Sequence, residues 1–229
     1  MFETLLNLAF PKFCLNCGKL GSYLCQDCLK LAVRREKQFC SECGRAAISG
    51  LTHPTCLRRN SLDGLICLFE YKDPMRKVLH TIKYRFSFKL AEDLKTLFDK
   101  VDLPGHLNGY TLVPLPLAQS RANWRGFNQA EVLEKVIFSK HELTMGKEQF
   151  LERTKFNRQQ TGLSLKEREK NLQGVFQVKK GQDPAGERLL LFDDVWTTGT
   201  TLREAAKVLK RAGVDKVWGM CLATSHRVN

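Results

Sequence analysis

Long apolar runs are absent from this 229-residue sequence, because no stretch of 18 or more residues is uniformly hydrophobic. This argues against a membrane-spanning helix. The first ten residues contain Glu3 and lack the basic region and small-residue cleavage site of a secretory signal. We therefore expect a cytoplasmic protein without membrane insertion. The sequence also lacks a Gly-Lys-Ser/Thr triplet and therefore has no Walker-type phosphate loop.

Acidic residues are scarce relative to basic ones, with 24 Asp and Glu against 37 Lys and Arg and a formal net charge of +13. An excess of this size favours polyanionic ligands such as phosphates or nucleic acid. The alternative is a purely solubilising charge, because the basic residues form no single tract. They are dispersed at positions such as Arg34, Arg35, Lys37, Arg58, Arg59, Arg121, Arg125, Arg168, Lys179 and Lys180.

Cysteine, in contrast, is abundant, with nine residues in the chain. Disulfides are not expected in a reducing compartment, so the spacing indicates metal ligands. Three C-x-x-C pairs lie in the first 43 residues, and this spacing brings two thiolates to one tetrahedral ion. The pairs are Cys14 with Cys17, Cys25 with Cys28, and Cys40 with Cys43. Gly18 and Gly44 follow two of them and can supply the positive φ that a metal-binding knuckle often needs.

A fourth pair with the same spacing is His53 and Cys56, which would complete a second tetrahedral site of three cysteines and one histidine. The alternative for His53 is an ordinary loop histidine. Cys67 and Cys221 are flanked by apolar residues and are predicted to be small buried hydrophobes rather than ligands. Residues 1–61 are thus predicted to form a zinc-binding module whose folding energy comes largely from metal binding. With four protein ligands on each ion, the zinc is structural rather than catalytic.

Residues 62–229 alternate apolar strand patterns with helical ones, which predicts an α/β fold with a mostly parallel sheet. Ligands of such sheets bind at the carboxyl ends of the strands. The predicted strands are Leu65–Tyr71, Thr111–Leu115, Leu189–Phe192 and Lys216–Ala223. The predicted helical segments are Pro74–Leu79, Phe88–Val101, Gln129–Phe138 and Thr201–Ala212, the last ending at Gly213.

The candidate ligand site follows the strand Leu189–Phe192, where Asp193 and Asp194 precede a loop of threonines and one glycine. Backbone amides and hydroxyls of such a loop bind a phosphate monoester, and the dipole of the following helix favours its negative charge. The two carboxylates are suited to ribose hydroxyls, directly or through magnesium. An N-cap threonine after an acidic turn would explain only part of this pattern. The predicted phosphate-binding residues are Thr197, Thr198, Gly199, Thr200 and Thr201.

Leu189–Thr201 resembles the signature with which type I phosphoribosyltransferases bind 5-phosphoribosyl-1-pyrophosphate (PRPP). Nearly the whole chain resembles the ComF family of competence-associated proteins, in which a zinc ribbon precedes a transferase-like domain. The shared motifs are the paired cysteines, Leu79–Tyr84, Val113–Leu117, Arg125–Gln129, Gln160–Ser164, Arg168, Asn171 and Leu172. His53 is a departure, since the family commonly has cysteine there.

The resemblance implies a type I phosphoribosyltransferase-like fold in which Asp193 and Asp194 hold the ribose. It places the pyrophosphate, with magnesium, at the loop containing Pro114 and Leu115 and near Arg121 and Arg125. Asp193, Asp194 and Arg125 are then the candidate catalytic residues. The alternative for the two arginines is simple solvent exposure on a basic helix start. Arg153–Asn171 is predicted to be a mobile lid.

The family also implies a role in competence and in the uptake of single-stranded DNA, together with proteins such as a DNA-uptake helicase. Trp124 and Phe127 are candidates for base stacking, although core packing explains Phe127 equally well. An active phosphoribosyltransferase with an unidentified acceptor is the alternative. Purine salvage itself is disfavoured, because Thr197 occupies the position where salvage relatives carry an acid. A gluconate- or purine-linked regulator is a third hypothesis, since fold does not fix function.

Overall fold

The protein is described from a computed structural model. The residues described are 11–84, 90, 93–95, 101, 103–117, 128, 130, 143–145, 150–154 and 174–228.

A five-stranded sheet organises the described residues, and every pair of neighbouring strands in it is parallel. In spatial order the strands are β1, β7, β6, β2 and β3. Their ranges are β1 Gly64–Glu70, β2 Thr111–Pro114, β3 Thr144–Met145, β6 Arg188–Trp196 and β7 Lys216–Thr224. A separate antiparallel ribbon joins β4 Leu151–Arg153 to β5 Phe176–Val178. The predicted α/β fold with a parallel sheet is confirmed.

Three α-helices have complete ranges within the described residues: α1 Gln26–Lys30, α2 Met75–Tyr84 and α3 Thr200–Arg211. Short 3₁₀ turns span Ile48–Gly50 and Gly105–Leu107. The helix predicted over Pro74–Leu79 therefore begins one residue later and continues five residues further, to Tyr84, and α3 begins one residue earlier than predicted. Most of the predicted helices Phe88–Val101 and Gln129–Phe138 lies outside the described residues.

Successive strand residues point to opposite faces of the sheet, so the apolar runs build two cores. One core contains Ile66, Leu190, Phe192, Met220 and Leu222. The other contains alternate residues of the same strands and the apolar side of α3, namely Leu65, Cys67, Leu189, Leu191, Val217, Cys221, Leu202, Ala205 and Leu209. Burial on both faces explains why these strands read as continuous apolar runs in the sequence.

The cysteine-rich segment contributes to both cores. Leu24 and Leu29 belong to the first core, whereas Phe39 belongs to the second. Asp63 then links the start of β1 to β7, because its carboxylate accepts a 2.7 Å hydrogen bond from the amide of Val217. The zinc module is consequently packed against the sheet on both of its faces.

Candidate functional site

The acidic pair lies inside β6 rather than after it. The strand continues through Asp193 and Asp194 to Trp196, which pairs with Thr224 of β7. This corrects the predicted strand end at Phe192: hydrogen bonding to β7 outweighs the low strand propensity of aspartate. Both carboxylates are half-buried, and the amide of Asp194 donates a 2.8 Å hydrogen bond to Asp193 Oδ1.

The negative charge at this strand end acts on the pKa of Cys221, which pairs with Asp193 on the neighbouring strand β7. Burial raises the pKa of the Cys221 thiol, and the nearby Cys67, Asp193 and Asp194 raise it further. Cys67 and Cys221 are both fully buried, as predicted for small core residues. The carboxyl end of β6 is therefore suited to a cation or to hydroxyl donors.

The loop between β6 and α3 is short and strongly curved. Gly199 is the N-cap residue of α3 and has φ +76°, a backbone conformation that residues with a side chain rarely adopt. A Cβ at this position would lie 2.1 Å from the Trp196 ring, so the loop turns tightly over that indole. Thr198 Oγ1 and Thr200 Oγ1 are 2.9 Å apart and share a hydrogen bond. Thr200 and Thr201 already belong to α3, so the loop proper is Thr197–Gly199, called the phosphate loop below after its predicted ligand.

The start of α3 has the electrostatic character of an anion site. Its first turn contains no acidic residue, and the helix extends for 12 residues. The partial positive charge of its N-terminus is therefore not neutralised within its own first turn. The loop and helix start can supply amide and hydroxyl donors to a phosphate, with the Asp193 and Asp194 carboxylates close by in sequence.

The predicted pyrophosphate loop lies beside this site. Pro114 at the end of β2 pairs with Phe192 of β6, and the amide of Leu115 donates a 2.9 Å hydrogen bond to the Phe192 carbonyl. Pro114 and Leu115 therefore lie at the same sheet edge as the acidic pair. The predicted roles of Arg121, Arg125, Trp124 and Phe127 fall outside the described residues. Of the predicted lid, Arg153 belongs to strand β4, and residues 155–171 are likewise outside.

The structure gathers the eight predicted metal ligands into two clusters. The first cluster contains Cys14, Cys17, Cys25 and Cys28, and the second contains Cys40, Cys43, His53 and Cys56. Within each cluster the candidate ligand atoms all lie within 4.8 Å of one another. Tetrahedral zinc with Zn–S bonds of about 2.3 Å requires such spacing. The pairs therefore combine in chain order, which the sequence had left open.

His53 has the hydrogen bonding expected of a zinc ligand. Its Nε2 lies 2.9 Å from the carbonyl of Ala46, and a carbonyl only accepts, so this nitrogen holds the proton. The other nitrogen, Nδ1, faces Cys43 Sγ at 3.3 Å. Zinc-bound histidines typically donate their second ring N–H to a carbonyl in this way. This contact favours the ligand interpretation over an ordinary loop histidine.

Two thiols, one in each cluster, have a pKa lowered toward the thiolate form that metal binding requires. Burial alone would raise the pKa of Cys14, but the backbone amides of Cys25, Cys17 and Asn16 outweigh it and lower the value to about 6. A hydrogen bond from Arg45 lowers the pKa of Cys43 to about 6. Both clusters therefore fit zinc in donor type and spacing.

Two residues at this site were missed by sequence reasoning. Arg203 of α3 donates a 2.9 Å hydrogen bond to the carbonyl of Thr198 in the phosphate loop. His226, after β7, is 2.8 Å from the carbonyl of Gly44 beside the second metal cluster. Neither belongs to a recognisable motif, and both contacts join segments distant in sequence, so the sequence carried no local signal for them.

Among the helices in the part of the chain that the structure describes, none combines the length and apolar character needed to cross a lipid bilayer.

Comparison with known proteins agrees with this two-part organisation. Residues 5–58 match the double zinc ribbon domain family, and residues 139–227 match the phosphoribosyl transferase domain family. The predicted zinc ribbon and transferase-like domain are thereby confirmed.

Three relatives are similar along most of their length. Competence protein F of Haemophilus influenzae is 29% identical over 230 residues, covering 92% of this chain and 96% of the relative. The DNA utilization protein YhgH of Salmonella typhimurium is 30% identical over 209 residues, covering 86% and 89%. Competence protein ComFC of Bacillus subtilis is 27% identical over 206 residues, covering 83% and 79%. A double zinc ribbon joined to a phosphoribosyl transferase domain, together with this near full-length similarity, establishes that the chain belongs to the ComF family.

Proposed function

We propose that the chain binds PRPP at the carboxyl end of β6 and acts in the handling of single-stranded DNA during competence. The observation that carries the proposal is the loop Thr197–Gly199, tightly turned between the acidic strand end and the uncompensated N-terminus of α3. Its amides and hydroxyls suit the 5′-phosphate, and Asp193 and Asp194 suit the ribose hydroxyls. Magnesium, when bound, would neutralise pyrophosphate charge and be held through carboxylate oxygens.

The pyrophosphate group belongs, in this proposal, near Pro114 and Leu115. Arg121 and Arg125 would supply charge-assisted hydrogen bonds to its oxygens. Transfer from PRPP, if it takes place, requires stabilisation of the departing pyrophosphate more than a strong base, which fits a site built from donors and cations. We assign residues 1–61 to the zinc module and residues 62–229 to the transferase-like domain.

A cavity of about 730 Å³ beside this site is suited to an anionic partner. It lies at the carboxyl ends of β1 and β7, and its residue Thr224 pairs with Trp196 of β6. Cationic side chains outnumber acidic ones in its lining. The cations are Arg34, Arg35, Lys37, Lys72 and Arg227, and the acids are Glu36 and Glu70. The Glu70 pKa is lowered, chiefly by a hydrogen bond from Lys72, so that acid stays ionised and paired.

The nucleic-acid proposal is also supported by the relatives. Two of them are named for competence and one for DNA utilization. With the net charge of +13, a basic cavity next to the phosphate loop is where we expect a DNA strand to meet the protein. Other competence proteins, such as a DNA-uptake helicase, are the protein partners that the family implies.

The first test replaces Asp193 and Asp194 with Asn, singly and together, which keeps the side-chain shape but removes the charge. We expect the double variant to bind PRPP with magnesium at least tenfold more weakly, equivalent to about 1.4 kcal/mol, in a calorimetric titration. Asp215→Asn is the matched control, because that exposed residue precedes β7 at the opposite sheet edge. A folded double variant that binds like wild type would refute this site.

The second test measures single-stranded DNA binding by fluorescence anisotropy across a salt series. We expect little sequence preference and a steep loss of affinity as salt rises, because phosphate contacts release counterions. Replacing Arg34, Arg35 and Lys37 with Ala should lower the salt slope if the cavity contacts the strand. Absence of binding at low salt would leave the positive charge as a solubility feature.

The alternative, an active phosphoribosyltransferase with an unidentified acceptor, is separated from a binding module by pyrophosphate release. An enzyme releases pyrophosphate from PRPP when the right acceptor is supplied. A module binds PRPP and releases none with any acceptor, including single-stranded DNA.

A further inference from the structure

Arg203 connects the second metal cluster to the phosphate loop. The Nε and Nη2 atoms of Arg203 donate hydrogen bonds of 2.9 and 2.5 Å to the carbonyl of Ser41. Its Nη1 donates a 2.9 Å hydrogen bond to the carbonyl of Thr198. Ser41 is the residue after the metal ligand Cys40, and Thr198 is in the middle of the phosphate loop. One guanidinium therefore joins the two sites.

Arg203 is held in a single place by its surroundings. Its guanidinium carbon lies 5.3 Å from the centre of the Trp196 ring, and its Nε is 3.6 Å from a carboxylate oxygen of Glu42. The same indole packs under Gly199 and meets Phe39 edge-on, with ring centres 6.0 Å apart. The planar donor fork, the aromatic face and the acid together fix the arginine.

The knuckle Cys40–Gly44 is also held at its other end. His226 donates from Nε2 to the carbonyl of Gly44 at 2.8 Å, and its ring lies 4.4 Å from that of Phe39. Gly44 has φ +73°, and a Cβ there would come within 2.8 Å of the His226 ring. Two carbonyls of one knuckle thus accept hydrogen bonds from residues at the carboxyl edge of the sheet.

We propose that Arg203 is a positioning residue for the phosphate loop and that zinc at Cys40, Cys43, His53 and Cys56 binds cooperatively with PRPP. Zinc fixes the backbone of the knuckle and hence the Ser41 carbonyl. That carbonyl fixes the guanidinium, which holds the Thr198 carbonyl and so orients the loop amides toward the phosphate. The cooperativity rests on the proposed PRPP function, whereas the bridge itself does not.

The first cluster provides an internal control, since its contacts run elsewhere. Lys77 of α2 donates to the backbone and side-chain oxygens of Asn16 at 3.1 and 3.2 Å. Asp93 accepts hydrogen bonds from the amides of Tyr23 and Leu24 at 2.7 and 3.2 Å. Zinc at this cluster is expected to leave PRPP affinity unchanged.

The first experiment titrates the zinc-loaded full-length protein with PRPP and magnesium. Arg203→Ala should weaken binding on the order of tenfold, as expected for loss of charge-assisted hydrogen bonds. Arg203→Lys keeps the charge but cannot join both carbonyls, so it should also bind several-fold more weakly. Arg211→Ala, at the exposed end of α3, removes the same charge and should have no effect. If Arg203→Lys binds like wild type, the arginine acts only through its charge and the bridge is refuted.

The second experiment measures zinc release to a chromogenic chelator with and without PRPP. Because coupling is reciprocal, PRPP should strengthen zinc binding at the second cluster by the same factor that this zinc strengthens PRPP binding. Cys17→Ser and Cys56→Ser identify the release of each zinc. The stabilisation of zinc binding by PRPP should be absent at the first cluster, and it should be absent at both clusters in Arg203→Ala. An equal effect of PRPP on both clusters, or none on either, would overturn the cooperativity.

A ligand-free readout separates this inference from the proposed function. Hydrogen exchange of the amides in residues 197–203 should speed up in Arg203→Ala and in Cys56→Ser, but not in Cys17→Ser. If Cys56→Ser does not fold, Arg203→Ala and Arg203→Lys, which keep all zinc ligands, decide the outcome. Unchanged exchange in folded Arg203→Ala would refute the bridge even if PRPP binds. Failure of the wild type to bind PRPP would refute the proposed function while leaving the exchange result valid.

Discussion

At the scale of single residues, Gly199 shows how one position sets the loop. Gly199 and Gly186 share φ +76°, but only Gly199 has a ring where a Cβ would be placed. Gly186→Ala should therefore cost about 1 kcal/mol of backbone strain, whereas Gly199→Ala should cost about 1–3 kcal/mol more through the clash with Trp196. Chemical denaturation of both variants measures the difference. Equal losses would mean that the indole moves aside at no cost.

Sequence analysis proposed some residues of the candidate site and did not propose others, for a physical reason. Asp193, Asp194 and Gly199 form a contiguous pattern whose chemistry is local, so the sequence was sufficient to propose them. Arg203 and His226 act through carbonyls of Ser41 and Gly44, which are 162 and 182 positions away. Carbonyl groups occur at every residue, so such contacts leave no signature in the residue types.

At the scale of elements, Asp63 joins β1, α3 and β7. Besides the Val217 amide, its carboxylate contacts Lys210 of α3 at 2.7 Å and Lys216 at 3.6 Å, and its side chain is only 11% exposed. Asp63→Ala would leave Lys210 buried without this partner and should lower the free energy of unfolding by about 3 kcal/mol.

The matched control for Asp63 is Asp27→Ala. Asp27 pairs with Lys19 at 3.3 Å, but both side chains are largely exposed, so the loss should be much smaller than for Asp63→Ala. Urea denaturation of the two variants compares them. A similar small effect for Asp63→Ala would show that the buried carboxylate does not stabilise the junction of these elements.

Element boundaries were predicted less well than element types. The apolar run Leu189–Phe192 correctly predicted a buried strand, but β6 continues for four residues beyond Phe192 because β7 pairs with it as far as Trp196. Acidic residues signal the end of a strand only when no neighbouring strand offers backbone hydrogen bonds beyond that point. The same tertiary pairing keeps Asp193 and Asp194 on a rigid strand instead of in a flexible loop.

At the scale of the whole molecule, the zinc ribbon is part of the architecture of the transferase-like domain. The sequence predicted that residues 1–61 could not build a core alone, and Leu24, Leu29 and Phe39 instead bury themselves against the two sheet faces. The sequence could not predict that the two metal clusters pack on opposite faces of the sheet, the first beside Leu24 and the second beside Phe39. Contacts between segments so distant in sequence depend on the complete fold.

Two zinc ions per chain are therefore expected, and removal of both should destabilise the sheet beneath the ribbon as well as the ribbon itself, whereas loss of one ion acts through the contacts of its own cluster. In a metal-free cluster the thiols cannot all ionise: a hydrogen bond from Asn16 lowers the pKa of Cys28, but burial and the neighbouring thiols of Cys17, Cys25 and Cys14 together outweigh it and raise this pKa to about 12. Chelation should consequently loosen residues 11–60 and uncover the apolar sheet faces beneath Leu24 and Phe39, lowering the melting temperature and promoting aggregation. Elemental analysis and thermal melts with and without chelator measure both effects. A metal content near zero in folded protein would contradict the zinc assignment. A content near one ion per chain would show that His53 and Cys56 are not zinc ligands.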